Sequence, residues 1–194
     1  WFEAVIGYLS ATRAWAEQQG TPDAWKKWWV EPDGESYYFQ GKDNVSFHTI
    51  MLPSILLGSG ELNMPTDVVA NEYLNLGGID FSKSRGHAVW LPDFLTRYEP
   101  DPLRYYLASI MPETSDSEFT WQGFHAANNN ELVATFGNFV HRVLTITTRN
   151  FDNAVPTPGK LDDDDEVALN ACDTALKEVS NAIDRRKFRD GLRA

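Results

Sequence analysis

A short glycine-flanked segment holds the residues best suited to binding a phosphate. It reads GGIDFSKSRG over residues 77–86, and the hydroxyl side chains of Ser82 and Ser84 flank Lys83 in it. Glycines let a backbone approach a ligand closely, and a lysine on such a loop can reach a polyphosphate as a point charge. Arg85 adds a second positive charge. Because the spacing is not that of a Walker loop, the residue types alone leave open both phosphate binding and an ordinary solvated turn.

A second group of candidate residues lies closer to the N-terminus. The segment GKDNVSFH places Gly41 and Asp43 at a predicted strand-to-helix junction, with His48 further along the helix. By type alone, Asp43 is either a helix N-cap or a partner for an amine or a ribose hydroxyl, and His48 either packs in the core or binds a ligand. With these groups, an aromatic wall would suit a small ligand that has an apolar tail, an amine and a phosphate neighbour. The residues that would form this wall, which otherwise belong to the core, are Trp1, Ala4 and Tyr8.

The elements that must position these groups alternate between helix and strand in the first half of the chain. Apolar residues at helical spacing predict a helix over residues 1–20, and Thr21 as N-cap predicts the start of a shorter one. Strands are predicted over residues 36–40 and 67–76, with a helix between them. Two helices follow the glycine loop, the second with Asp101 as its N-cap. The alternation predicts an α/β fold with a parallel sheet covered by helices.

The second half of the chain has a helical pattern. Residues 120–150 and 165–191 carry apolar side chains at helical spacing, and residues 155–165 between them are predicted to form a linker. The acidic run Asp162–Glu166 would meet the positive N-terminal end of the second helix, which explains it better than a metal site does. An all-α bundle segment is therefore predicted after the α/β part.

Composition narrows the classes of function. The chain has 194 residues, a formal net charge of −11 and one cysteine, Cys172. An acidic surface disfavours non-specific binding to DNA or other nucleic acids, and a single cysteine excludes an internal disulfide and fits a reducing compartment. No Cys/His cluster has zinc-site spacing, so we predict no metal ligands in this segment. No apolar run approaches the roughly 18 residues that a membrane-spanning helix needs.

Several segments together resemble one family. The run FSKSRG is similar to the K-M-S-K-S signature loop of class I aminoacyl-tRNA synthetases. Other segments resemble the methionyl-tRNA synthetase family, in order and at plausible spacing: WFEAVIGYLSA, GKDNVSFH, ANEYL, PDPLRYYL, PETSDSEFTW and NNNELVATFGNFVHRVL. The resemblance implies the second half of a Rossmann-type catalytic domain with its signature loop and stem-contact region over residues 1–118. It implies the first part of an α-helical anticodon-binding domain over residues 119–194.

The resemblance also implies an activity and a role for each candidate residue. The family uses ATP with Mg²⁺ to activate methionine as methionyl-adenylate and transfers it to tRNA(Met), in the cytoplasm and with no membrane partner. Lys83 would be catalytic, stabilising the leaving pyrophosphate, with Ser82 and Ser84 shaping the loop. The implied ligand contacts are Gly41, Asp43, Lys83 and Arg85 for ATP, Trp1, Ala4, Tyr8 and His48 for methionine, and Asn138 and Arg142 for the anticodon.

The chain departs from the family pattern in three respects. Pocket positions that are apolar in some relatives are Asn44 and Val5 here. Asp80 stands where the signature has its first lysine, and Phe81 replaces its methionine, so we expect the positive charge of the loop to fall on Lys83 and Arg85. The H-I-G-H signature and the first half of the nucleotide fold are absent. We therefore expect the chain to be a fragment that is inactive in amino-acid activation by itself.

Two other functions stay open on the sequence. One is a non-catalytic module derived from a synthetase that binds tRNA or a partner, and the other is a class I synthetase for another apolar amino acid. An H-I-G-H motif encoded upstream would favour the enzyme over the binding module. Thermal shifts with methionine, leucine, isoleucine and valine would separate the amino acids.

Overall fold

A computed structural model describes residues 3–194 and divides the chain into two units. The first unit extends to Tyr73 and includes Glu113–Ser115, and the second comprises Leu74–Pro112 and Asp116–Ala194. These units are defined by contacts within the chain. The predicted domain boundary after residue 118 comes from the family resemblance and stays a prediction.

The first unit contains a parallel pair of strands joined through a helix. Its elements in chain order are the 3-10 turn Ala4–Ile6, α1 (Gly7–Gln18), α2 (Lys26–Trp29), β1 (Tyr37–Gly41), the 3-10 turn Lys42–Asn44, the π-helical turn Phe47–Met51, α3 (Leu52–Ser59) and β2 (Asp67–Asn71). β1 and β2 pair in parallel with Gly41 opposite Asn71, so both strands end at the same edge. Parallel strands need a long crossover, and the helical segment ending in α3 supplies it. The parallel sheet expected from the alternating pattern is confirmed.

The core of the first unit forms where α1, α2 and α3 meet the sheet. Val5, Trp29, Leu52 and Leu56 are buried together, and Tyr38 packs against them from β1. Trp29 of α2 is buried in this core, whereas the adjacent Trp28 is 38% exposed. The predicted N-cap at Thr21 is wrong. Hydrogen bonds between residues three apart, Ala24 N to Thr21 O and Lys26 N to Asp23 O, form tight turns there, and α2 begins only at Lys26.

The strand predicted over residues 67–76 is two strands. β2 ends at Asn71, where its partner β1 also ends, and β3 begins at Leu74 with different partners. Both halves have an apolar, strand-like composition, so the sequence pattern alone does not show the break. Strand pairing determines it.

The second unit combines a small mixed sheet with helices. Its elements are β3 (Leu74–Leu76), β4 (Ile79–Asp80), α4 (Leu91–Leu95), α5 (Pro100–Ser109), β5 (Ser117–Phe119), α6 (Trp121–Ala126), the π-helical segment Ala127–Gly137, α7 (Asn138–Asn150), α8 (Asp163–Asp184) and α9 (Phe188–Gly191). β3 pairs antiparallel with β4 and parallel with β5. The hairpin between β3 and β4 turns at Gly77 and Gly78, whose φ values of 60° and 77° favour glycine.

Aromatic side chains dominate the core of the second unit. The buried cluster consists of Phe94, Leu103, Tyr106, Phe119, Phe124 and Ala127. α5 begins at Pro100 with Glu99 as its N-cap, so the prediction of Asp101 as N-cap is wrong. Asp101 lies inside the first turn, where its carboxylate accepts a hydrogen bond from Arg104 at 2.7 Å.

The last helices follow the predicted pattern closely. Residues 121–150 are helical throughout, and the predicted linker ends at Asp163, where α8 begins two residues earlier than predicted. The helix predicted up to residue 191 ends at Asp184, and the short α9 follows it. Asp162 caps α8 in a capping box with Asp165, so the acidic run stabilises the N-terminus of that helix, as predicted. Among residues 3–194, no helix has the length and apolar character needed to span a bilayer.

Candidate functional site

A pocket of about 380 Å³ lies in the first unit between the start of α1 and the segment that follows β1. Its lining residues are Ala4, Val5, Gly7, Tyr8, Gln40, Asn44, Phe47 and His48. The structure therefore brings together Ala4, Tyr8 and His48, which were predicted to contact methionine. Trp1, the fourth such residue, lies outside the described residues.

The polar groups of Tyr8 and His48 form one hydrogen-bonded chain. His48 is 5% exposed, and its Nδ1 lies 3.0 Å from the carbonyl oxygen of Asn44. A carbonyl can only accept, so Nδ1 carries a proton, and in the tautomer protonated at Nδ1 alone Nε2 is an acceptor. The hydroxyl of Tyr8 lies 2.8 Å from Nε2 and donates to it. The proton of Tyr8 is thereby committed to His48, and only its oxygen lone pairs can face a ligand.

Three aromatic rings form the wall of the pocket. The ring centroids of Tyr8 and Tyr38 are 5.3 Å apart, and each lies 5.6 Å from the centroid of His48. Burial raises the pKa of the Tyr38 hydroxyl, more than its hydrogen bond with Ser36 lowers it. Tyr38 therefore lies in a poorly hydrated part of the pocket, whereas Tyr8 is 45% exposed. Aromatic rings arranged in this way give favourable contacts to an apolar or thioether side chain.

The end of β1 carries the residues predicted to contact ATP in this unit. The backbone of Gly41 is extended, with φ −72° and ψ 152°, so its lack of a side chain is not needed for backbone freedom. It is needed for space, because a Cβ there would lie 2.8 Å from Oδ1 of Asp43. The N-cap interpretation of Asp43 is wrong, since Gly41 holds the N-cap position and no side chain caps the turn. The exposed Asp43 carboxylate accepts a hydrogen bond from Asn44 at 3.2 Å.

Sequence reasoning missed a set of contacts that ties the two strand ends together. Lys42 forms an ion pair with Glu72, and its ammonium lies 4.5 Å from the ring centroid of Tyr73. Lys42 and Glu72 directly follow Gly41 and Asn71, which are opposite each other in the register. The sequence therefore contains two oppositely charged residues just after the paired strands, but the ion pair can be predicted from them only once the strand register is known. The contacts hold the turn that carries Asp43.

The glycine-flanked loop in the second unit is anchored at its base and exposed at its tip. Ser82 and His87 exchange two backbone hydrogen bonds of 2.8 and 2.9 Å, and Nε2 of His87 lies 2.7 Å from the carbonyl oxygen of Leu76 on β3. The Ser82 hydroxyl accepts from the Arg85 amide at 3.4 Å and lies 3.3 Å from the Ser84 hydroxyl. The serines thus shape the turn from within.

The cations of this loop are available to a ligand. Lys83 and Arg85 are exposed, and within residues 3–194 neither forms an ion pair. Asp80 lies in β4, before the loop tip. The loop therefore presents two positive charges on a short, closed turn, which is an arrangement able to bind phosphate oxygens.

The two residues predicted to contact an anticodon lie on α7. Asn138 and Arg142 are exposed and four residues apart, which places them on the same face of the helix. Asn138 also lines a shallow groove with His141 and Pro102. Within the part of the chain that the structure describes, no cluster of three or more His, Cys, Asp or Glu residues could hold a metal ion.

In sequence, the family model and the curated relatives indicate the same family. The family model described as tRNA synthetases class I (M) matches residues 1–144. The chain is 52% identical over 194 residues to a methionine–tRNA ligase of Thermomicrobium roseum, covering 100% of this chain and 33% of that protein. It is 44% identical to the methionine–tRNA ligase of Thermobifida fusca, covering 99% of this chain and 34% of that protein. The chain thus spans about a third of the length of the curated relatives it matches.

Solved structures show the same architecture. Mycobacterium tuberculosis methionyl-tRNA synthetase in complex with methionyl-adenylate is 26% identical, with a TM-score of 0.73 over 84% of this chain and 31% of that one. A second structure of that enzyme, bound by methionyl-adenylate, gives a TM-score of 0.74 at 23% identity, covering 84% of this chain and 31% of that one, which supports the fold alone.

Proposed function

Because the chain belongs to the class I tRNA synthetases (M), we propose that the protein containing it is a methionine–tRNA ligase. It would use ATP to convert methionine to methionyl-adenylate and transfer the methionyl group to tRNA(Met). The observation that carries the proposal is the pocket in which Tyr8 and His48 are hydrogen-bonded to each other beside Tyr38, close in sequence to Gly41 and Asp43.

The pocket would select methionine by shape and polarity. Tyr8, Tyr38 and His48 offer ring surfaces to a flexible thioether chain, and Ala4 and Phe47 add apolar lining. Because His48 and Tyr8 are hydrogen-bonded to each other, these two side chains are not free to pair with a polar ligand side chain. Trp1 would contribute a further ring by the family resemblance.

The chemical step is a displacement at the α-phosphorus of ATP. The methionine carboxylate oxygen forms a bond to that phosphorus, and the bond to the bridging oxygen of the β-phosphate breaks, so pyrophosphate leaves with the electron pair. Negative charge grows on the leaving group, where the ammonium of Lys83 would stabilise it, with Arg85 nearby in the loop. Asp43, for whose carboxylate Gly41 leaves space, would contact the ribose or the amino group of the substrate.

Mg²⁺ and tRNA complete the proposal. Mg²⁺ commonly binds through substrate phosphates and few carboxylates, so a bound ATP would bring most of its ligands and a preformed metal cage is not required. Asn138 and Arg142 on the exposed face of α7 would contact the anticodon, and the reaction would take place in the cytoplasm.

Amino-acid-dependent exchange of pyrophosphate into ATP tests this proposal in the full-length protein that contains the chain. We expect exchange with methionine and at least about 100-fold less with leucine, isoleucine or valine, because a pocket shaped for an unbranched thioether would accommodate a branched side chain poorly. Preference for a branched amino acid would indicate a different synthetase. Absence of exchange together with tRNA binding would indicate a module that binds without activating.

A further inference from the structure

The carboxamide of Gln40 is buried in the pocket without a hydrogen-bond partner. Both Oε1 and Nε2 are shielded from solvent, and neither is hydrogen-bonded to any of residues 3–194. A buried polar group without a partner costs free energy, so such groups in folded proteins normally have one. In the complete protein, the partner of Gln40 would therefore be a group other than residues 3–194.

The strand geometry directs Gln40 to the same wall as the aromatic rings. Side chains two residues apart on a strand point to the same face, and Tyr38 on that face packs edge-on to Tyr8 and lies against His48. Gln40 lies one step further toward the end of β1 and lines the pocket with Tyr8 and His48. It is adjacent in sequence to Gly41, where the residues predicted for ATP begin.

The neighbouring polar groups do not need Gln40. The Tyr8 hydroxyl donates to Nε2 of His48, and Nδ1 of His48 donates to the carbonyl of Asn44. The Asn44 amide donates to Asp43. Gln40 differs from them because it offers both a donor and an acceptor with neither in use.

The chemistry of the carboxamide identifies the part of the ligand that fits it. A thioether sulfur is only a weak acceptor and cannot satisfy Oε1. The head group of an amino acid carries both a donor, the α-ammonium, and an acceptor, the carboxylate. We propose that Gln40 binds the amino-acid head group, with Oε1 accepting from the ammonium and Nε2 donating to the carboxylate. This assignment rests on the proposed function.

Binding measurements on the full-length protein test the assignment. Gln40→Met keeps the length of the side chain and removes the carboxamide. The ligands are methionine, norleucine, which replaces the sulfur by a methylene, and 4-(methylthio)butanoate, which lacks the ammonium. We expect Gln40→Met to weaken the binding of methionine and of norleucine equally, by about 10- to 100-fold. The binding of 4-(methylthio)butanoate should weaken less, because one of the two hydrogen bonds is already absent.

Gln40→Glu provides a second variant of the same shape. Its carboxylate can accept from the ammonium but repels the carboxylate of the ligand, so we expect methioninol, which has an alcohol in place of the carboxylate, to gain affinity relative to methionine. The melting temperature of each variant shows whether it is folded. If Gln40→Met is unfolded, the comparison of methioninol with methionine in Gln40→Glu still tests the assignment.

The outcomes separate this assignment from the proposed function. A wild-type protein that binds no methionine overturns both. If the wild type binds methionine and the Gln40 variants bind it equally well, the assignment alone is overturned. Weaker methionine binding with unchanged norleucine binding would place the contact at the sulfur and would also overturn it.

Discussion

The pocket of the first unit and the loop of the second are built in opposite ways. In the pocket, His48 is 5% exposed and its two ring nitrogens contact the Tyr8 hydroxyl and the Asn44 carbonyl. In the loop, Lys83 and Arg85 are exposed, and the hydrogen bonds lie below them, in the backbone, the serine hydroxyls and the His87 side chain. The pocket groups are fixed before a ligand arrives, whereas the loop cations are fixed only at their base.

This difference indicates a division of work in the proposed reaction, in which the pocket determines amino-acid binding and the loop determines the rate of the chemical step. A preformed wall of rings selects a ligand by fit, and its contribution is already present in the ground state. An exposed ammonium is hydrated and screened until a ligand displaces the water, so its contribution is largest where negative charge develops. We therefore expect pocket variants to change amino-acid affinity and loop variants to change rate.

Replacement of Lys83 should give the largest effect. In the full-length protein, Lys83→Ala removes the charge proposed to stabilise the leaving pyrophosphate, so we expect the adenylation rate to fall by about 100- to 1,000-fold. Methionine affinity should change little. Rapid-quench measurement of adenylate formation checks this, with Lys160→Ala in the exposed linker as the matched control. An unchanged rate would remove Lys83 from the mechanism.

Tyr8→Phe should have the next largest effect, on binding. It removes the hydroxyl that donates to His48 and leaves a buried Nε2 without its donor. We expect methionine to bind about 10-fold more weakly, with little change in the rate of the bound complex. The control is Tyr37→Phe on β1, whose hydroxyl donates to Glu35 at 2.8 Å in an exposed position. Equal effects of the two variants would contradict the role given to the pocket.

Gly41→Ala should have different effects on ATP and on methionine, the two ligands proposed for the first unit. The added Cβ would lie 2.8 Å from Asp43 Oδ1, so the carboxylate must move. Overpacking of about 1 kcal/mol corresponds to a roughly fivefold effect, and we expect it in the KM for ATP rather than in methionine affinity. Gly58→Ala, where a Cβ meets nothing within 4 Å, is the control. A larger effect on methionine than on ATP would place Asp43 nearer the amino acid.

His87→Ala should have the smallest effect. It removes the side-chain contact at 2.7 Å to the Leu76 carbonyl and leaves the two backbone hydrogen bonds of the loop base intact. We expect the adenylation rate to fall about two- to threefold, because the loop cations become less well placed but are still present. The exposed His141 serves as the control residue. A fall as large as that of Lys83→Ala would mean that the loop base, and not the charge, limits the reaction.

The sequence predicted those features that depend on local pattern or on several motifs together. Alternating helix and strand patterns predicted the parallel pairing of β1 and β2, and the acidic run before α8 predicted its capped N-terminus. Tyr8 and His48 were candidates by residue type, but their methionine-binding role came from the family resemblance, since a lone buried histidine is ambiguous by type.

The features that were missed depend on register and burial, which a single sequence does not display. The break between β2 and β3 and the Lys42–Glu72 ion pair both follow from how strands pair. The unpaired carboxamide of Gln40 is visible only once its surroundings are known. Similarly, the predicted caps at Thr21 and Asp101 are suitable residue types, but the chain begins its helices elsewhere.

Single-turnover adenylate formation in the full-length protein, measured across methionine concentrations, tests the division of work most directly. The concentration dependence gives the methionine Kd, and the plateau gives the rate of the chemical step. We predict that Tyr8→Phe raises the Kd and leaves the plateau rate nearly unchanged, while Lys83→Ala lowers the plateau rate and leaves the Kd nearly unchanged. Variants that change both quantities in the same proportion would contradict the account.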